Sequence, residues 1–261
     1  ITRTDNQIDV VLLDGDIGHF VARAKNDDAN QAGTVNVLPP GSRGVIGNTI
    51  SPDYLANQLN DAQAPARLLG SVGKILSMDG LGSGTLLHSG GNRYVLTAAH
   101  VVENQLGRQL AASALKFQLG STKYGVRNIV AGRAAFGGRD LAILELDRRI
   151  DGVQGAFLSQ LSPVEGQQVI VAGYGIDASG RSGNLNFGYA RLDDVADQSG
   201  GNFDNGLPIV GEHIVNEYHQ GEAGIMPGDS GGPDFVAKRI KINDVWVWIP
   251  EVVGVHSYII D

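Results

Sequence analysis

A chain of 261 residues is long enough to bury a sizeable core, as one large all-β unit or as two small barrels. Its formal charge of −8, with Lys and Arg scattered, argues against nucleic acid as a partner, because phosphate binding needs a concentrated basic face. No stretch reaches the roughly 18 apolar residues of a membrane-spanning helix, and without a single cysteine the core has to hold without disulfides. The chain as given has no basic start followed by an apolar run and begins with Ile1 rather than Met, so it reads as the processed or trimmed product of an exported precursor.

Helical periodicity is scarce. Short apolar runs recur instead between Gly, Asn, Asp and Ser turns, the pattern of a barrel or sandwich. Taken in chain order, Ile8-Asp9-Val10-Val11-Leu12-Leu13 reads as a strand of an N-terminal arm. The Gly-rich segment from Asn26 to Gly47, with Pro39-Pro40-Gly41-Ser42, reads as a flexible, cleavable link. Gly82-Ser83-Gly84-Thr85-Leu86-Leu87 has the wrong spacing for a dinucleotide loop and no helical pattern after it, so it opens a strand. Tyr94-Val95-Leu96-Thr97-Ala98-Ala99-His100-Val101-Val102 is an apolar run whose small alanines let backbone approach the imidazole of His100. Arg139-Asp140-Leu141-Ala142-Ile143-Leu144-Glu145-Leu146 sets an acid at the head of a largely buried strand. Gln168-Val169-Ile170-Val171-Ala172-Gly173-Tyr174 and Val245-Trp246-Val247-Trp248-Ile249 are further strands.

Gly228-Asp229-Ser230-Gly231-Gly232-Pro233 carries the chemistry. Closely spaced glycines allow positive φ and let a substrate come close to the backbone. The N–H groups of Gly228 and Ser230 can then converge on a carbonyl oxygen under attack. A serine hydroxyl is a weak nucleophile unless a histidine takes its proton, and that histidine needs a carboxylate to fix its tautomer. His100 and Asp140 are the candidates.

In this order the three segments resemble the three signatures of the trypsin-like (chymotrypsin-fold) serine proteases, and the His, Asp, Ser order separates them from subtilisins and α/β-hydrolases. The resemblance runs from about Ala66 to Ile260. It implies an all-β fold of two six-stranded antiparallel β-barrels with an N-terminal extension. The implied activity is that of a serine endopeptidase, a monomer of bacterial type that is secreted or periplasmic, acts on protein or peptide substrates, and needs no cofactor, nucleic acid or membrane. His100, Asp140 and Ser230 would be catalytic, and Gly228 and Ser230 would form the oxyanion hole. In Gly254-Val255-His256-Ser257-Tyr258, the hydroxyl of Ser257 would support the aspartate.

Asp229 matches a residue that forms a buried ion pair with a freshly cut apolar N-terminus, because an unpaired buried carboxylate is costly. Arg43-Gly44-Val45-Ile46-Gly47-Asn48 resembles the activation site of glutamyl endopeptidases. On that basis residues 1–44 are an extension or pro-segment, residues 45–261 are the protease domain, and Val45 is the activating terminus, with Ile1 as the rival.

Substrate preference stays open among three side-chain classes. Gly224 occupies the position where Lys or Arg specificity requires an aspartate, unless Glu222 bends in. His256 matches the histidine with which glutamyl endopeptidases hold an acidic side chain, but Ile225 replaces their hydroxyl residue. Ile259, after Tyr258, replaces a common glycine and could narrow the pocket for a small or medium apolar side chain.

The chain stops at Asp261, four residues past Ser257, where the family continues through another strand and a closing helix. Either the insertion between Pro233 and Glu251 substitutes for that strand or the chain is truncated, since a missing strand would leave an open edge. Truncation is the expectation. His213 and His219 with Glu212, Glu217 and Glu222 fit no helix-borne metal motif. Asp27-Asp28, and Asp193-Asp194 with Asp197, read as solvated acidic loops rather than calcium ligands. Two other functions remain open: a zymogen or self-processing precursor with little activity in trans, and an inactive homologue that serves as a binding module.

Overall fold

The computed structural model describes residues 33–37, 49–78, 80–131, 140–177, 180–197, 212–217 and 223–260. Strands dominate, in two units. In the first, β2 (Val72–Leu76), β3 (Leu81–Leu86), β4 (Tyr94–Thr97), β5 (Lys116–Leu119), β6 (Thr122–Ala131) and β7 (Ala142–Leu146) close into an antiparallel barrel in the order β2-β3-β4-β7-β6-β5. Closure removes every exposed edge. The interior is filled by Ile75, Leu86, Val95, Phe117, Leu144 and Leu146. The sequence marks β7 as largely buried, and all five of its residues are. Its one charge, Glu145, accepts from Arg127 at 2.7 Å.

The second unit is a sheet of eight strands. It comprises β1 (Gly33–Val37), β8 (Phe157–Leu158), β9 (Gln168–Gly173), β10 (Asn186–Arg191), β11 (Asp194–Asp197), β12 (Glu212–Glu217), β13 (Pro233–Ile242) and β14 (Val245–Ile260). Its path is β10-β9-β13-β14-β1-β12-β11, with β8 on β14. The all-β architecture is therefore present, as a closed six-stranded antiparallel barrel and a second sheet of eight strands.

Two local features differ from the sequence reading. Within the segment read as a flexible link, Gly33-Thr34-Val35-Asn36-Val37 forms a strand, and β-branched Thr34, Val35 and Val37 suit it to one. It pairs in parallel with β14 on one side and with β12 on the other, so it joins the two within the sheet. The predicted strand at Ile8–Leu13 and the rest of the link lie outside the described residues.

The second feature is a pair of short helices, α1 (Pro52–Leu59) and α2 (Ala64–Leu69). Ser51 caps α1 by accepting the N–H of Tyr54 at 3.1 Å, Pro52 occupies its first turn, and Asn60 ends it in the left-handed region. Leu55 and Leu68 pack with Val72 of the barrel and with Ile170, Phe187 and Phe235 of the sheet, so the helices bridge the two units. A second seam joins Leu96, Leu141 and Ile143 to Ala156, Val252 and Val255. His100 and Asp140 border it, next in sequence to Val101 and Leu141 of that cluster.

Candidate active site

β4 ends at Thr97, and the chain then turns through a short 3-10 segment, Ala99–Val102. Ala98, Ala99 and Val102 are buried there, which anchors the turn and leaves the His100 side chain 38% exposed. Asp140 stands just before β7, and β7 pairs with β4, so strand register sets acid and imidazole side by side. His100 donates its backbone N–H to Asp140 Oδ1 at 2.8 Å and its Nδ1–H to Oδ2 at 2.6 Å. Ser257 donates its hydroxyl to the same Oδ2 at 2.5 Å.

Burial pushes Asp140 upward, but the facing His100 charge and the hydrogen bonds from His100 and Ser257 outweigh it and hold the carboxyl below its ordinary value. Burial likewise lowers His100. The Asp140 charge and hydrogen bond, with a smaller effect from Glu103, bring it above its ordinary value. The pair is thus an anion beside a ring primed to take a proton.

Ser230 lies in a turn that closes against the barrel. Gly228 and Gly231 have φ of +97° and +82°, which a side chain would strain. Ser83, at the opening of β3, holds the turn from two sides. Its N–H donates to the carbonyl of Ser230 at 2.8 Å and its hydroxyl to the carbonyl of Gly228 at 2.9 Å. The Ser83 hydroxyl also accepts the N–H of Tyr174 at 2.9 Å, and Thr97 donates its own hydroxyl to the Ser83 carbonyl at 2.8 Å. In the sequence Ser83 reads only as part of a strand, marked by being a polar residue between two glycines. The N–H groups of Gly228 and Ser230 have no protein acceptor among the described residues.

A Cβ on Gly231 would collide with Thr97 Oγ1 and with the Ser83 carbonyl. Gly231→Ala is therefore expected to lower stability by roughly 2–4 kcal/mol, from left-handed strain plus displaced backbone. Urea unfolding measures it, and an unchanged midpoint would mean that the turn is not clamped as described.

His100 and Ser230 open onto one cleft of about 180 Å³, lined also by Leu81, Gly82, Val101 and Glu103. No hydrogen bond joins Ser230 Oγ to His100 in this structure. Such contacts commonly tighten only when substrate is bound.

Asp229 is buried, with Oδ1 accepting the N–H of Gly175 at 2.6 Å and Oδ2 that of Met226 at 2.9 Å. Burial raises its carboxyl, and the His256 charge and the two N–H groups only partly offset that. Arg43, Gly44, Val45 and Ile1 lie outside the described residues, as does Glu222. Gly224 and Ile225 are buried beside Asp229, Val171, Phe187 and His256, around a space of only about 10 Å³, room for one water at most.

His256 is fully buried, with Nε2 at 2.9 Å from Asp234 Oδ1 and Nδ1 at 3.3 Å from the Asp229 carbonyl. Neither ring nitrogen is directed to the cleft, in contrast to the acid-binding role that the resemblance implies. Tyr258 and Ile259 follow on β14, in register with Val35 and Asn36 of β1. In the sequence, Asp234 is marked only as an acid between Pro233 and Phe235 at the head of a strand.

Among the described residues, no group of three His, Asp or Glu converges as a metal site, and no helix is long and apolar enough to cross a membrane. His213, Glu212 and Glu217 lie on β12.

No curated protein matches the chain. Among solved structures, it is similar to neuropsin, a serine protease expressed in the limbic system of mouse brain, at 20% identity over 72% of this chain and 82% of that one, with a TM-score of 0.49. It is also similar to the thermostable serine protease AL20 from an extremophilic microorganism, at 16% identity over 71% and 92% of the two chains, with a TM-score of 0.45. The Trypsin family model matches residues 74–261, a span that holds the His100, Asp140 and Ser230 segments, and on that match the chain belongs to the trypsin family and is a serine endopeptidase.

Proposed function

We propose that the chain hydrolyses peptide bonds through an acyl-enzyme on Ser230, with His100 as general base and Asp140 as its orienter. The observation that carries this reading is the Asp140 carboxylate, which accepts from His100 twice and from Ser257 once while the imidazole opens onto the cleft that contains Ser230. The His100 ring takes the hydroxyl proton as Ser230 Oγ bonds to the substrate carbonyl carbon. The developing oxyanion is held by the N–H groups of Gly228 and Ser230. His100 then passes the proton to the leaving nitrogen as the peptide bond breaks, and water resolves the ester through the same base.

The side chain preferred on the acyl side is proposed to be neutral. Gly224 offers no charge, Ile225 offers no hydroxyl, and both ring nitrogens of His256 are engaged within the protein. Proteases of this family are typically secreted or extracellular, and the same location is proposed for this one.

Digestion of a peptide library in trans, read by mass spectrometry alongside labelling with a fluorophosphonate, tests the proposal. Cleavage with labelling at Ser230 is the expected result. Labelling without cleavage would point to a zymogen, and the absence of both would point to a binding module and overturn the assignment.

A further inference from the structure

Behind the nucleophile turn lies a second carboxylate–imidazole pair that the reaction as described does not use. Asp234 and His256 are both fully buried, and Asp234 Oδ1 is 2.9 Å from His256 Nε2. On the other side of the ring, Nδ1 is 3.3 Å from the carbonyl oxygen of Asp229. A carboxylate and a carbonyl have no proton to give, so the ring satisfies both only when both nitrogens carry hydrogen. The geometry is that of an imidazolium.

The backbone of the same residue also grips the turn. Gly231 donates its N–H to the carbonyl of His256 at 2.7 Å, and His256 donates its N–H to the carbonyl of Gly232 at 2.8 Å. The residues just after Ser230 are therefore pinned to β14 by backbone, and the residue just before it by the ring. Among the described residues, the titratable groups facing the ring are Asp234 on β13 and Asp229 in the turn. β9 and β10 present Val171, Ala172, Gly173, Asn186 and Phe187 around it, and β1 contains no titratable residue.

We infer that Asp234 is a positioning residue, which holds His256 as a buried cation that braces the Asp229 carbonyl, compensates the Asp229 carboxylate, and so sets the N–H groups of Gly228 and Ser230 where an oxyanion forms. The inference rests on the acyl-transfer reading for its catalytic consequence, though not for the pair itself. Burial lowers His256, and the charge and hydrogen bond of Asp234, followed by Asp229, bring it above its ordinary value. The proton is therefore lost only as pH rises through that raised value, and the brace weakens with it.

The test uses the full chain, with its histidines labelled for NMR titration and kcat measured across pH. In the wild type, His256 stays protonated through neutral pH. In Asp234→Asn, its titration midpoint drops by about one unit or more. Over the same variant, kcat falls on the order of 10- to 100-fold as the oxyanion donors shift, KM changes little, and the alkaline limb of the profile moves to lower pH. Asp234→Glu recovers part of each effect.

A wild-type His256 that is neutral at pH 7, or an Asp234→Asn profile with an unmoved alkaline limb, overturns the inference. The wild-type titration decides even if the variant does not fold. It also separates this inference from the acyl-transfer reading, because it reads the pair whether or not the protein turns over substrate.

Discussion

Replacing Ser230 with alanine is expected to lower kcat about a million-fold, the scale found when a triad nucleophile is removed. The loss is this large because the other groups act only through Oγ. Without it, His100 has no hydroxyl proton to take, and the charge that Asp140 offers the ring stabilises nothing. The residue is partly exposed and its side chain makes no hydrogen bond among the described residues, so stability should change by less than about 0.5 kcal/mol. The contacts that hold the turn, from the Ser83 hydroxyl to the carbonyl of Gly228 and from the Ser83 N–H to that of Ser230, do not involve the Ser230 hydroxyl. Peptide binding should survive, and so should the weak rate enhancement that the oxyanion donors give alone. Single-turnover rates and fluorophosphonate labelling measure the effect. Labelling that persisted in Ser230→Ala would place the nucleophile elsewhere.

Much of the site could be read from local sequence, because its chemistry demands residue types that are rare in combination. Gly228 and Gly231 take positive φ, and the alanines before His100 are buried against their neighbours, as the requirements for a tight turn and a close approach suggested. Ser257 meets Asp140. What escaped the reading depends on register between distant strands. Nothing near Ser83 in sequence says that its hydroxyl will lie between Gly228 and Tyr174, contacts that exist only once the two units dock.

His256 shows the same limit. Side chains alternate along a strand, so Ser257 and its neighbour point to opposite faces of β14. Ser257 reaches Asp140 and His256 reaches Asp234, and the second contact follows from the pairing of Asp234 with Gly254, which sequence does not reveal. The helices were missed for a simpler reason. α1 and α2 are too short to display a 3.6-residue period, although Ser51-Pro52 is a legible start signal. β1 was hidden in a Gly-rich context whose composition outweighed its β-branched residues.

Asp140→Asn should cost about 10⁴-fold in kcat, and the geometry gives the reason. The carboxylate accepts three hydrogens, the backbone N–H of His100 on Oδ1 and both His100 Nδ1–H and the Ser257 hydroxyl on Oδ2. An amide has one oxygen and one NH₂. If the NH₂ took the Oδ1 side it would face a backbone N–H that cannot reverse its role, so the oxygen has to stay there. The NH₂ then faces Nδ1 and Ser257. The serine hydroxyl can rotate to accept. The ring can accept only by moving its proton from Nδ1 to Nε2, and a ring that carries its hydrogen on Nε2 cannot take a proton from Ser230. The variant keeps its shape and holds the wrong tautomer.

A second signature follows from charge. In the wild type the Asp140 charge raises His100, and the ring must be neutral to act as base, so activity rises as pH climbs through that raised value. With the carboxylate gone, burial dominates and His100 falls, so the residual activity of Asp140→Asn should keep its acid limb only at lower pH. A pH profile of kcat/KM reads both effects at once. A loss under about tenfold, with the acid limb unmoved, would show that Asp140 neither fixes the tautomer nor charges the ring, because those two roles are inseparable from the three contacts that hold it.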